Sequence, residues 1–173
     1  MTTTIVVEDG TVVSGSNSYT TVSGVTVYAN DYGLSAWTST DITDTMREQA
    51  MFKSMRYLEA LPWKGTKYSA DQNLEWPRSY VYDRNGYLVD DDTVPQAVIN
   101  AQCELAVLCL PTSTITLQPN YTKDDYLIES SISGATKERW NPNGAVRKPQ
   151  ITAVKDILTG LIGSSSAVPV ERS

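Results

Sequence analysis

The chain has 173 residues, 40% hydrophobic and 20% charged, and twenty acidic against fourteen basic residues leave a net charge of −6. That length is about one domain, able to bury roughly 70% of its unfolded surface, and the composition excludes both wholesale disorder and a membrane protein. Histidine is absent, which removes the commonest general base, the commonest metal ligand and every His-dependent triad, and the acidic balance is a poor fit to wrapping duplex DNA.

Residues 1–20 are rich in Thr, Ser, Val and Gly, alternate over Ile5 to Val7 and turn at Glu8-Asp9-Gly10. They read as an extended N-terminal arm with one short strand. The opening MTTTIVVEDG has neither a basic n-region nor an apolar h-region, so no signal peptide is expected. A short helix follows from Val22 to Tyr32, closed by Gly33. Asp41 to Leu61 reads as a firmer helix, with Asp41 and Thr43 as available caps. Met46 and Ala50 form one ridge, and Met51, Met55 and Leu58 the next, before Pro62 stops the helix.

Trp63 to Asp92 is irregular and rich in turns. Within it, Val81 to Val89 places Asn85-Gly86 between two β-favouring runs, which predicts a hairpin with a type I′ turn. Thr93 and Gln96 fit a capping box with Pro95 in the first turn, opening a helix to Leu110 that is apolar on most faces and is therefore expected at the centre of the core. Cys103 and Cys109, six residues apart on that helix, match neither a redox motif nor a zinc site and read as buried thiols. Tyr126 to Ile132 and Thr136 to Trp140 predict a second hairpin through Ser133-Gly134. A last helix runs from Pro149 to Leu161, with Ile151, Val154, Ile157, Leu158 and Leu161 on one face, and residues 164–173 read as a flexible tail. The expected fold is mainly α: a small helical bundle over residues 21–163, with hairpin insertions near 80–90 and 125–141 and extended arms at both ends.

No phosphate-binding glycine loop, dinucleotide fingerprint or nucleophile elbow is present. The run Asp90-Asp91-Asp92 is better placed to stabilise the following helix start than to converge on one metal ion. Asp83, Asn85 and Gly86 fail the calcium-loop spacing, with Val94 where the closing Glu belongs. The expectation is a protein without enzymatic activity, metal or cofactor, made in a reducing, aqueous compartment. Charge is uneven: no basic residue precedes Arg47, whereas residues 133–155 hold five basic residues against one acidic. An acidic front and a basic back suit head-to-tail contact between copies, or a partner, and equally read as solvated faces with no role. Lys137, Arg139, Arg147 and Lys148 flank Trp140, the one place where basic and aromatic residues interleave. That pattern can stack a single-stranded base beside neutralised phosphates, or grip an acidic patch on a neighbour, and the acidic remainder of the chain favours the protein contact.

The segment Trp76-Pro77-Arg78, then Tyr82-Asp83-Arg84-Asn85-Gly86-Tyr87, then Val94-Pro95-Gln96-Ala97-Val98 resembles a family of tailed-phage proteins with "WPR", "YDRxG" and "IPxAV" motifs. Val7-Glu8-Asp9-Gly10-Thr11 and Asn17-Ser18-Tyr19 are similar to the opening of the same proteins. The family resembles head–tail connectors, or adaptors, and is also labelled DnaT-like single-strand-binding. The connector resemblance implies a structural virion protein at the head–tail junction, made in the host cytoplasm. About twelve copies would form a homo-oligomeric ring between the portal protein and a downstream neck or tail-completion protein. Double-stranded DNA would pass through without sequence-specific binding, and no membrane is involved. It also gives the tail, with Val168 and Val170, a role in portal contact beside Trp140, Arg147 and Lys148. The alternative is a single-stranded-DNA-binding replication accessory.

Overall fold

The structure is a computed structural model that describes residues 4–113, 127–132, 136–140 and 151–163, and the chain divides into two units, residues 1–115 with 151–173, and residues 116–150. In the first unit, Thr21 starts helix α1 (Val22–Asp31), its hydroxyl accepting from the Gly24 N–H at 3.0 Å. This satisfies one of the donors that every helix start leaves open. Val25, Tyr28 and Ala29 form the buried face. The helix closes in a Schellman motif at Gly33, as its sequence predicts: Gly33 N–H donates to the Asn30 carbonyl at 3.3 Å and Leu34 N–H to the Ala29 carbonyl at 2.7 Å. The single turn α2 (Ser35–Thr38) buries Trp37, whose indole donates to Thr26 Oγ1 at 3.0 Å.

Helix α3 (Asp44–Leu58) is shorter than expected at both ends. Of the two candidate caps, Thr43 is the one used, accepting from the Met46 N–H at 3.3 Å, while Asp41 stays in the preceding loop. Ala50, Met51, Met55 and Leu58 are buried, and Met46 is half-buried. Arg47 folds back from α3 to donate to the carbonyls of Trp37 (3.1 Å) and Ser39 (3.3 Å) and to the Asp44 carboxylate (2.8 Å), tying α2 to α3. The helix stops before Pro62 is reached, and the Trp63 indole takes up the Leu58 carbonyl at 2.9 Å.

Strand β1 (Thr66–Lys67) pairs antiparallel with β2 (Arg78–Ser79), a ladder inside the stretch whose sequence reads only as irregular. Two residues per strand are too few for alternation to register. Helix α4 (Gln96–Leu108) packs against α1, α3 and the last helix, which makes it the central element its composition predicts. Val98, Ala101, Gln102, Cys103, Leu105 and Ala106 are buried. The expected capping box does not form. Pro95 is the N-cap residue, Thr93 Oγ1 donates to the Asp90 carbonyl (3.2 Å), and Gln96 donates to Asn100 Oδ1 (2.9 Å). A box at Thr93 would need Val94 in the α region, and the ring of a following proline disfavours that conformation. The helix therefore begins after Pro95.

Helix α5 (Thr152–Ile157) is a short version of the last predicted helix. Val154, Leu158 and Leu161 are buried as expected, but the chain leaves the helix early to pair with residues 62–64. Lys64 N–H donates to the Leu161 carbonyl (3.0 Å) and Gly163 N–H to the Pro62 carbonyl (2.7 Å). The N-terminal segment is non-helical, as read, but it does not project. It doubles back, with Val7 bridging Ser18 and with Glu8, Ser16, Ser18 and Tyr19 buried.

In the second unit, β3 (Leu127–Ile132) and β4 (Thr136–Trp140) form the predicted antiparallel hairpin, pairing Ile132 with Thr136, Glu129 with Arg139 and Leu127 with Trp140. The protein is thus mainly α, with small antiparallel pairs added. No helix among the described residues is long and apolar enough to cross a membrane.

Candidate interaction surface

Residues that read as motifs along the sequence converge in the first unit as a buried polar framework. Glu8 is 1% exposed, and its carboxylate accepts from the N–H groups of Gly10 (2.9 Å), Val12 (3.0 Å) and Val13 (2.9 Å) and from the Ser16 hydroxyl (3.1 Å). Four donors offset the cost of burying the group. Beside it, Asp9 accepts from the side chain and backbone of Thr11, and those bonds hold its carboxyl below the ordinary 3.8. Ser18-Tyr19 joins this loop to the core. Gln102 on α4 accepts from the Tyr19 N–H (2.8 Å) and donates to Ser18 Oγ (2.7 Å). The Tyr19 hydroxyl donates to Glu59 (2.9 Å), just past α3, and accepts from the Trp76 N–H (3.1 Å). Burial drives the Tyr19 hydroxyl far above its ordinary range and, with weaker opposition from the same hydrogen bond, raises Glu59.

The Trp76-Pro77-Arg78 motif belongs to this framework. Trp76 is fully buried, edge-on to Trp63 with ring centroids 5.6 Å apart, and is followed by a cis peptide bond to a buried Pro77. Arg78 spends its donors inward: Nε to the Lys64 carbonyl (2.7 Å), Nη2 to the Gly65 carbonyl (2.9 Å), and Nη1 to the Glu75 carbonyl (3.2 Å) and carboxylate (2.5 Å). A buried guanidinium with four of its five donors so occupied holds a loop together rather than offering a site for a phosphate or a partner.

The Val81–Val89 hairpin is present, but with a different turn. Val89 N–H donates to the Val81 carbonyl (2.9 Å), Tyr82 bridges Leu88, and the loop closes through Gly86 N–H to the Asp83 carbonyl (3.1 Å) and Asp83 N–H to the Tyr87 carbonyl (2.9 Å). Gly86 has positive φ and Asn85 does not, so the two-residue type I′ turn is excluded. The cause is Asp83, whose Oδ1 accepts from the N–H groups of Asn85 (2.8 Å) and Tyr87 (2.9 Å) and so favours a wider loop. Two glycines fix where this hairpin sits. A Cβ on Gly160 would strike the backbone of Arg84, and one on Gly10 would strike the backbone of Asp92 and Thr93; both glycines hold positive φ.

What the hairpin presents is aromatic. Tyr80 is 77% exposed and Tyr87 73%, with Tyr68, Tyr82 and Leu88 exposed in the same region of the chain. Tyr80 also adopts φ 61°, unusual for a bulky residue. The sequence singles out Tyr82, Asp83, Asn85 and Gly86 but not Tyr68, Tyr80, Tyr87 or Leu88 as a surface. The available signal is composition, ten Tyr against one Phe, together with three tyrosines between 80 and 87.

Trp140 pairs with Leu127 at the end of β4, with Arg139 next to it and Lys137 opposite Ser131. Arg147, Lys148, Val168 and Val170 lie outside the described residues, as does the 164–173 tail. Both cysteines are free and buried, and burial pushes the Cys103 thiol up to about 12 and that of Cys109 to about 11. Neither is poised as a nucleophile. An open groove of about 510 Å³ between α1 and α3 is lined by Val22, Ser23, Thr26, Val27, Asp44 and Glu48, and its two ionisable groups are both acids.

No curated protein and no solved structure matches this chain. A family model matches residues 3–173, spanning both units and every motif described above. The chain therefore belongs to the family described as "Putative DnaT-like ssDNA binding protein".

Proposed function

We propose that the protein is a non-enzymatic binding protein that engages single-stranded DNA through residues 116–150. The match of the whole chain to a family described by single-strand binding is the observation that supports this reading most directly. Chemistry restricts the contact to the second unit. The first unit's described residues, 4–113 and 151–163, hold fifteen acidic and eight basic residues, and one of the eight, Arg78, is buried among carbonyls. Residues 133–150 hold four basic residues against one acidic, with Trp140 among them. Cations that neutralise phosphates beside an aromatic ring that stacks a base are the two parts of a sequence-tolerant strand site. The test is fluorescence anisotropy of a labelled oligo-dT at low salt with the wild type and Trp140→Ala. Stacking on one ring is worth about 1–3 kcal/mol, so the substitution should weaken binding roughly fivefold to 150-fold. Binding that is absent at low salt, or unchanged in the variant, overturns the assignment.

A second reading, an adaptor ring between a portal protein and a downstream neck or tail-completion protein, is favoured by the −7 charge of those described first-unit residues. Such a surface repels DNA, which suits a protein that lets a duplex pass without holding it. Its test is mass measurement of the protein alone and mixed with the portal of the same phage. A ring-sized complex that forms or tightens with portal supports the adaptor; a mass indifferent to portal removes it.

A further inference from the structure

The stretch from Tyr80 to Thr93 joins two properties that a solvated loop does not need together. Tyr80, Tyr82, Tyr87 and Leu88 are 77%, 54%, 73% and 60% exposed. Four aspartates against one arginine give the same stretch a charge of −3. The acidic run lies beside the aromatic one, since Ser79, next to Tyr80, donates its hydroxyl to the Asp91 carboxylate at 3.2 Å. Outside the stretch, Lys67 and Arg78 are already engaged, both pairing with Glu75 at 3.1 and 2.5 Å, which leaves Arg84 as the cation within it. An aromatic surface rimmed with carboxylates repels phosphate and attracts Lys and Arg, which stack on tyrosine faces and pair with the acids at their edges. One stretch of this same chain has the matching chemistry. Residues 137–148 contain Lys137, Arg139, Arg147 and Lys148 against Glu138, a charge of +3, with Trp140 interleaved.

We propose that the tyrosine hairpin of one copy, residues 80–93, is the docking surface for the basic 137–148 stretch of a second copy. The two faces are different surfaces, so the contact is heterologous, and a dimer retains one unused face of each kind, one on each copy. Association then propagates beyond a dimer until it closes or is capped. This deepens the adaptor reading by naming the two faces of its repeat. It requires neither portal nor DNA, so its failure is separable from the failure of either functional reading.

Sedimentation velocity of the full chain over a range of concentrations, at about 50 mM and about 500 mM salt, tests it; the Debye length falls several-fold in that interval. The expected result is concentration-dependent growth beyond the monomer that weakens at high salt. Tyr80→Asn combined with Tyr87→Ser should weaken it about tenfold or more, as loss of interface aromatics does. Asn accepts the positive φ held by Tyr80. Charge reversal supplies a second arm. Asp90→Lys/Asp91→Lys/Asp92→Lys and Arg139→Glu/Arg147→Glu/Lys148→Glu should each fail to self-associate, and mixing the two should restore association. A wild type that stays monomeric at low salt overturns the proposal. So does a tyrosine variant that associates like the wild type, or a mixture of folded charge variants that stays apart. If a charge variant does not fold, the tyrosine pair decides alone, because both side chains face solvent.

Discussion

At the scale of single residues, the buried polar groups of the first unit make a pH-dependent statement. Glu59 sits just past α3, where burial raises its carboxyl above the ordinary 4.5 and the Tyr19 hydrogen bond only partly opposes the rise. The folded state therefore holds the Glu59 proton to higher pH than the unfolded chain does. Stability from this group is fully present below the unfolded value and is lost as pH rises through the folded one. Glu59→Gln removes the titration while leaving the Tyr19 hydroxyl an amide oxygen to donate to. Urea unfolding at a series of pH values should show the wild type losing stability relative to Glu59→Gln as pH climbs from about 4 toward neutrality. A constant difference across the series would mean that Glu59 titrates as it does in the unfolded chain. None of this was legible in the sequence, where Glu59 is one more acid at a helix end. Its meaning comes from Tyr19, forty residues earlier, and from the Trp76 loop. Glu8 is similar: an acid in a Thr-rich opening reads as surface until three backbone N–H groups and a hydroxyl are seen converging on it.

At the scale of elements, local rules succeeded where the local signal stood alone. The Gly33 close of α1, the central place of α4 and the β3–β4 pairing all follow from spacing and turn chemistry. They failed where two local rules competed. Thr93 and Gln96 satisfy the capping-box pattern, yet Pro95 denies Val94 the helical conformation that the box requires. Asn85-Gly86 satisfies the type I′ pattern, yet Asp83 captures two backbone donors and opens the loop. The caps make the first conflict measurable. Thr43 receives a helix N–H and Thr93 does not, so Thr43→Ala should cost about 1 kcal/mol and Thr93→Ala less than about 0.5 kcal/mol by chemical denaturation. Equal losses would place Thr93 back at the helix start. The β1–β2 ladder was missed for a different reason. What holds it is Arg78 bonding to the carbonyls of Lys64 and Gly65, a contact across thirteen or more residues that no sequence window contains.

At the scale of the whole molecule, the proposed strand binding rests on how charge is distributed along the chain. Fifteen acidic residues against eight basic ones in the described first unit leave little there to hold a polyanion, whereas residues 133–150 collect Lys137, Arg139, Arg147 and Lys148. If those four cations make the phosphate contacts of a strand-binding site, the salt dependence of affinity is bounded. Each phosphate neutralised on a single strand contributes about −0.7 to the slope of log affinity against log salt, so four give about −2.8. Affinity for oligo-dT should then fall roughly 50-fold between 50 mM and 200 mM salt. Replacing Arg147 and Lys148 with Gln should bring the slope to about −1.4, whereas Lys64→Gln, in the first unit, should leave it unchanged. Lys123, the fifth basic residue within 116–150, could bring the slope to about −3.5. A still steeper wild-type slope would require cations from the first unit, and the most exposed aromatic surface there, at Tyr80 and Tyr87, is rimmed with aspartate. Contact at that face would add repulsion, which makes the slope shallower, so the slope distinguishes the two units without a structure of the complex.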